Sequence, residues 1–448
     1  MMTQRTPQIP LYAPWQRYTL RAGILFILFL SLPLQADFYR TLFAIEWTYF
    51  ITDVFNLLVF LPHYFGDEPQ IYDWLLGLGI ALIGALLWIK REAPNVERDA
   101  LYFYVLRIFV RFRLASILFV AGFTKFFAIF APELSLSHLN TGYGYFEDWK
   151  HLYLSLSAAP AYLVFLGTVE LLAAVLLLFR RTSFLATIII IPFYGNVFLA
   201  DIAYGGAYYL ASAYIVLLTL PIFLYDIGRL SRLVIDLQAT VPERWAFDWK
   251  QVGWGQWKWI PKLLFVVLFG LLVGVRSFDI SRTASLYYPE ESGLSNIAGK
   301  YIVESYVLNG NRIDFSPTHK SRWKDVVFEK WNTLSVRVND SIQTTTSKGF
   351  LKREDGKRDY EYAQVGDRLY YRYDTSSDQK QVILQNPNPH YANDRYTFSV
   401  TRPDSSRVAL RGKNAQGDSL FVELRKTDKR YLLEEIKKEG RRKLGFTL

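Results

Sequence analysis

The chain has 448 residues, no cysteine and a formal net charge of +10. That length exceeds one ordinary soluble domain, and the absence of thiols rules out disulfides, iron–sulfur ligation and thiol catalysis. The positive charge alone would admit a nucleic-acid partner, but its distribution follows membrane topology instead, so no nucleic acid is expected.

Roughly 20 apolar residues cross the ~30 Å hydrocarbon core of a bilayer. On that scale seven spans are predicted, at about 18–35, 70–90, 103–130, 160–179, 183–202, 208–226 and 259–276. Lys and Arg number two in 1–17, six in 90–113, two in 180–182 and six in 227–262. They number one, one and none in 35–69, 131–159 and 203–207. The positive-inside rule then places the N-terminus in the cytoplasm of a bacterial inner membrane. Seven spans put everything after the last one in the periplasm. Residues 41–62, "TLFAIEWTYFITDVFNLLVFLP", are apolar enough to form a further span, but Glu46 and Asp53 oppose this and the charge count would break. The segment reads as a helix lying in the outer interface or re-entering it.

After Arg276 the pattern changes to period two, as in "KYIVESYVLNG" (300–310), "TLSVRVND" (333–340), "RLYYRYD" (368–374), "RYTFSVTR" (395–402) and "SLFVELRK" (419–426). Turn residues such as Asn309-Gly310 and Gly366-Asp367 separate these stretches. The spacing predicts an antiparallel β domain, barrel or sandwich. An eight-stranded barrel is wide enough either to hold one small apolar ligand or to be filled by its own side chains, and both readings stand. The division is therefore 1–282, a helical membrane domain, and 283–448, a periplasmic β domain. The basic end "KKEGRRKLGFTL" is either a solvated tail or a contact for anionic lipid or a partner protein.

Inside the membrane part, polar residues are expensive and tend to face one another. Lys125 lies twelve residues past Arg113, about 18 Å along a helix. Glu170 lies ten residues before Arg180, and Asn196 fifteen after Arg181. The three reach similar depth on consecutive spans. Lys125 and Glu170 are therefore expected to pair, with Asn196 beside them, and small residues (Gly122, Gly167, Ala173, Ala174) leave room for close helix approach. The group either pins helix register or binds a polar head group. Glu133, His138, Asn140, Tyr143, Tyr145, Glu147 and Asp148 of the 131–159 loop could join Lys125 in an outward-opening pocket, or are polar because they are wet.

These stretches resemble the bacterial DoxX-like family. The likeness rests on "GFTK" (122–125) closing an arginine-led helix, "GTVELLAAVLLLFRRTSFLATIII" (167–190), "NVFLADIAYG" (196–205) and "YDIGRL" (225–230). It covers about 103–230, which the resemblance implies is a four-helix core. The "RWKDVVFEK" motif (322–330) is similar to a subgroup carrying a C-terminal domain. Gly205-Gly206 departs from that subgroup's more acidic, proline-bearing turn. The resemblance implies contact with quinone, since founding members belong to quinone-linked sulfur oxidation.

Three roles follow: a quinone- or lipid-contacting subunit of a membrane redox system; a non-catalytic accessory protein whose β domain docks a membrane or periplasmic partner or an apolar ligand; and a transporter coupled through Lys125 and Glu170. No inverted repeat favours the third. The five histidines (His63, His138, His151, His319, His390) fall outside the spans, which excludes a mid-bilayer bis-His haem. No nucleophile elbow or Walker loop is present. No cofactor is evident from the residues themselves; quinone enters only through the resemblance.

Overall fold

The computed structural model describes residues 13–240, 257, 259–283, 285–349 and 351–439. In chain order the helices are α1 (Pro14–Ser31), α2 (Ala36–Phe43), α3 (Phe50–Leu58), α4 (Ile71–Arg91), α5 (Val96–Phe126), α6 (Leu136–Leu139), α7 (Asp148–Ala158), α8 (Pro160–Leu177), α9 (Ser183–Ala203) and α10 (Tyr209–Val234). Then come α11 (Ile260–Phe265), a π-helical stretch (Val266–Leu272) and α12 (Val273–Thr283), which run on as one apolar segment. The strands are β1 (Gly299–Leu308), β2 (Asn311–Arg312), β3 (Asp325–Phe328), β4 (Thr333–Arg337), β5 (Arg368–Thr375), β6 (Gln381–Gln385), β7 (Arg395–Asp404), β8 (Arg407–Asn414) and β9 (Ser419–Lys426), followed by α13 (Leu432–Glu439).

The chain divides into two compact units, 1–130 with 161–283, and 131–160 with 284–448. In the first unit, among the described residues, five segments are long and apolar enough to cross a membrane: α4, α8, α9, α10 and the segment from α11 to α12. A sixth is obtained if α1 and α2, bent by 49°, act together. The remaining expected span, α5, has 31 residues but carries Arg107, Arg111, Arg113 and Lys125. Its middle from Leu114 to Gly122 is buried on every face, as befits a helix surrounded by protein. Arg107, Arg111 and Arg113 fall just before this buried stretch and Lys125 just after it. Within 41–62 only α3 is a substantial helix, nine residues long. At ~1.5 Å per residue that is too short to cross a bilayer.

The ends of α1, α4 and α5 are tied by charge. Arg17 and Arg21 both hold Asp99, at 2.8 and 2.6 Å, and Arg21 also reaches Glu92 at 2.7 Å. With Arg21 and Asp99 almost fully buried, each ion is compensated by its partners rather than by water.

The second unit is built on an antiparallel meander. Strands β1, β3, β4, β5, β6, β7, β8 and β9 pair in that order, and β9 closes back on β1. This is an eight-stranded barrel, with the two-residue β2 attached to β1 outside the closure. Closure removes the exposed edge that an open sheet would present. The barrel interior is filled: Tyr301, Trp323, Phe328, Tyr371, Phe398 and Leu424 belong to one continuous buried cluster. Among the two readings of the barrel, self-packing is the one its side chains support.

Residues 131–160 belong to this unit, although the sequence reading placed them with the helical domain as an outer loop. Their backbone is stitched in by Gly366 N–H donating to Tyr145 O at 2.9 Å and by a β-bridge between Phe146 and Val365. The basic end of the chain after Glu439 lies outside the described residues.

Candidate functional site

Lys125 stands in the last turn of α5, where a cation is favoured by the helix dipole. The helix ends one residue later, so the lysine is terminal rather than in mid-helix. Its Nζ donates to both carboxylate oxygens of Glu170 on α8, at 2.7 and 2.9 Å. The pairing expected between these two residues is present. Glu170 is 1% exposed, whereas the Lys125 side chain keeps 15%. The Phe130 ring centroid lies 5.2 Å from the ammonium.

Asn196 is not the third member, which corrects the expectation. Its side chain is exposed. Tyr194, two residues earlier on α9, is buried and donates its hydroxyl to Glu170 Oε1 at 2.6 Å. Two residues on a helix differ by about 200° in direction, so one of them turns away when the other turns in. Depth counting found the right level but not the right face. Glu170 thus joins three helices and accepts three hydrogen bonds.

Close backbone approach permits this. A methyl added at Gly167 would lie 2.5 Å from Phe126 N and 2.6 Å from Gly122 O. Helices α5 and α8 therefore touch main chain to main chain, beside the ion pair. This is the geometry that small residues provide between membrane helices.

The polar residues of 131–160 are incorporated in the second unit. Glu329 accepts from Leu136 N at 3.1 Å, and from Ser137 N and Oγ, both at 2.6 Å. Ser137 Oγ also meets Ser335 Oγ at 2.8 Å, and Arg368 Nε donates to that same Ser335 hydroxyl at 2.7 Å. His138 Nε2 lies 3.0 Å from Glu361 O, and Trp331 Nε1 donates to Glu361 Oε2 at 2.9 Å. Lys150 is fully buried, donates to Tyr360 O, and sits 4.0 Å from that tyrosine's ring centroid.

Burial dominates the electrostatics here. It drives His138 well below the usual histidine range, with Lys150 reinforcing the effect. It holds Lys150 down at about 7, partly opposed by Asp359 and Glu361. It also pushes Glu361 up to about 8, with the nearby Glu329 carboxylate adding to the rise. Sequence reading missed Lys150, Glu329 and Glu361, because each is one charge among several in a polar-looking stretch and its burial comes from distant chain. Among the described residues no cluster of three or more His, Asp or Glu is arranged to hold a metal ion.

A scan against protein-family models, a search of curated proteins and a search of solved structures each find no match for this chain.

Proposed function

We propose that this chain is an integral membrane protein of DoxX-like type whose helical unit holds a polar head group, such as a quinone carbonyl, at the Lys125 ammonium. One observation carries the reading. Nζ spends two of its three N–H donors on Glu170 and stays part-exposed beside an aromatic ring. A third donor at the end of a helix suits a carbonyl or phosphate oxygen. Glu170 orients the ammonium, and Tyr194 keeps Glu170 in place. The proposed topology has a cytoplasmic N-terminus and a periplasmic β domain in a bacterial inner membrane, as the basic-residue distribution suggests.

A second reading is favoured by the saturation of Glu170. With three donors on one carboxylate, the group can serve as a register pin in an accessory protein that binds no small molecule. Mass spectrometry of protein purified in mild detergent separates the two. Quinone retained by the wild type and lost in Lys125→Met supports the head-group role. A stoichiometric protein partner without quinone supports the accessory role and sinks the first.

A further inference from the structure

A second feature of the helical unit is independent of Lys125. Four residues on one face of α5, Tyr104, Arg107, Ile108 and Arg111, recur at spacings of three, one and three. Four on α10, Ile222, Tyr225, Asp226 and Arg229, recur at the same spacings. Such positions form a stripe on one side of a helix. The two stripes, with Arg180 and Arg181 from the turn between α8 and α9, line a cavity of about 530 Å³. Among its described lining residues are five guanidinium groups and a single carboxylate, Asp226.

The cations are held in place by the protein. Arg111 donates Nε and Nη2 to the carbonyl of Leu177 at 3.0 and 2.8 Å, which caps the end of α8. The Arg107 guanidinium lies 3.4 Å from the Tyr225 ring centroid, and its Nε is buried with no hydrogen-bond partner among the described residues. Asp226, the single carboxylate among these described lining residues, reaches Arg229 at 3.9 Å. Arg180 and Arg181 are exposed. Five guanidinium groups against one carboxylate leave the described lining net positive, which attracts anions. Guanidinium groups suit the oxygens of a phosphate, which they can grip two at a time.

The geometry points to a site for a phosphate-bearing anion in this cavity, an anionic phospholipid head group being the source its size and setting suit best. The volume falls in the range of organic-ligand pockets rather than of a bare oxyanion. Basic pockets between membrane helices on the cytoplasmic side are recurrent sites for such head groups. Arg107 and Lys125 are eighteen residues apart on α5, about 27 Å, so this site is separate from the one above and survives or fails without it.

The test uses the full chain in mild detergent, with thermal shift and native mass spectrometry as readouts. The probes are phosphatidylglycerol, phosphatidylcholine and inorganic phosphate. Phosphatidylglycerol should stabilise and stay bound while phosphatidylcholine does not, and added salt should weaken the effect. Removing two cations in Arg181→Gln/Arg229→Gln should weaken binding by at least about tenfold. Asp226→Asn should tighten it several-fold, a gain that misfolding cannot mimic. An equal response to inorganic phosphate would keep the site and assign it to a soluble phosphate. Indifference between the two lipids with no response to phosphate, or no tightening in Asp226→Asn, would overturn the proposal.

Discussion

Replacing Gly167 by alanine tests the contact between α5 and α8. The added methyl would meet Phe126 N at 2.5 Å and Gly122 O at 2.6 Å, both main-chain atoms that cannot rotate away. Ordinary non-bonded contact needs about 3.4 Å or more, so the helices must part by roughly 0.9 Å there. Glu170 lies one turn from Gly167, and Lys125 is the neighbour of Phe126. A shift of that size carries the 2.7 Å Lys125–Glu170 contact toward the limit of a hydrogen bond. Overpacking alone costs about 1–3 kcal/mol, and disrupting a buried ion pair costs about 3–5 kcal/mol. Gly167→Ala should therefore destabilise the helical unit by about 2–5 kcal/mol, read as thermal unfolding by circular dichroism in mild detergent. The double variant Gly167→Ala/Glu170→Gln should cost less than the sum of its parts by ~1 kcal/mol or more, because both changes strike the same pair. If Gly167→Ala left stability within ~0.5 kcal/mol of wild type, the helices would have room that this reasoning denies them.

Further expectations are as direct. Tyr194→Phe should cost about 1.5–3 kcal/mol, the range for a hydrogen bond to a charged group, while Asn196→Ala should stay within ~0.5 kcal/mol of wild type; equal effects would undo the assignment of Tyr194 as the third partner. In the second unit the folded chain releases the Lys150 proton near pH 7 while the unfolded chain keeps it to about 10.5, so stability should rise across that window, and Lys150→Met should abolish the rise. Glu361 acts in the opposite sense: its folded form holds a proton up to about 8 that the unfolded form loses from 4.5, so its contribution should fall between those values and vanish in Glu361→Gln, with hydrogen exchange of the strand amides reporting both. Cysteines introduced at 65 and 95 should react with an impermeant reagent from opposite sides of the membrane, and labelling from one side would refute the topology.

How legible this was depends on whether the signal was local. The apolar runs at α8, α9 and α10 carry their own evidence, and the strands at 299–308, 368–375, 395–404 and 419–426 announce themselves by alternation. β3 does not, because all four of its residues are buried and no polar face marks its period. The Lys125–Glu170 pair was readable because apolar neighbours make a charge conspicuous. Tyr194 was not, since a tyrosine in an apolar helix looks like packing. The arginine cavity escaped because its members, already accounted for as inner-face charge, converge only when α5 and α10 are placed side by side. The place of 131–160 in the second unit was equally hidden, since its partners follow much later in the chain.

That last feature sets an order of events during synthesis. Ser137 and its acceptor Glu329 are 192 residues apart. At ~5–20 residues per second the ribosome delivers the carboxylate about 10–40 s after the serine. For that interval the segment carrying Ser137, His138 and Lys150 has left the ribosome without the strands that will bury it, while α8, α9 and α10 are made in between. The last polar contacts of the second unit therefore close a chain whose middle is already in place. A translational pause or a truncation before Glu329 would leave 131–160 waiting in the open, accessible to proteases and holdases.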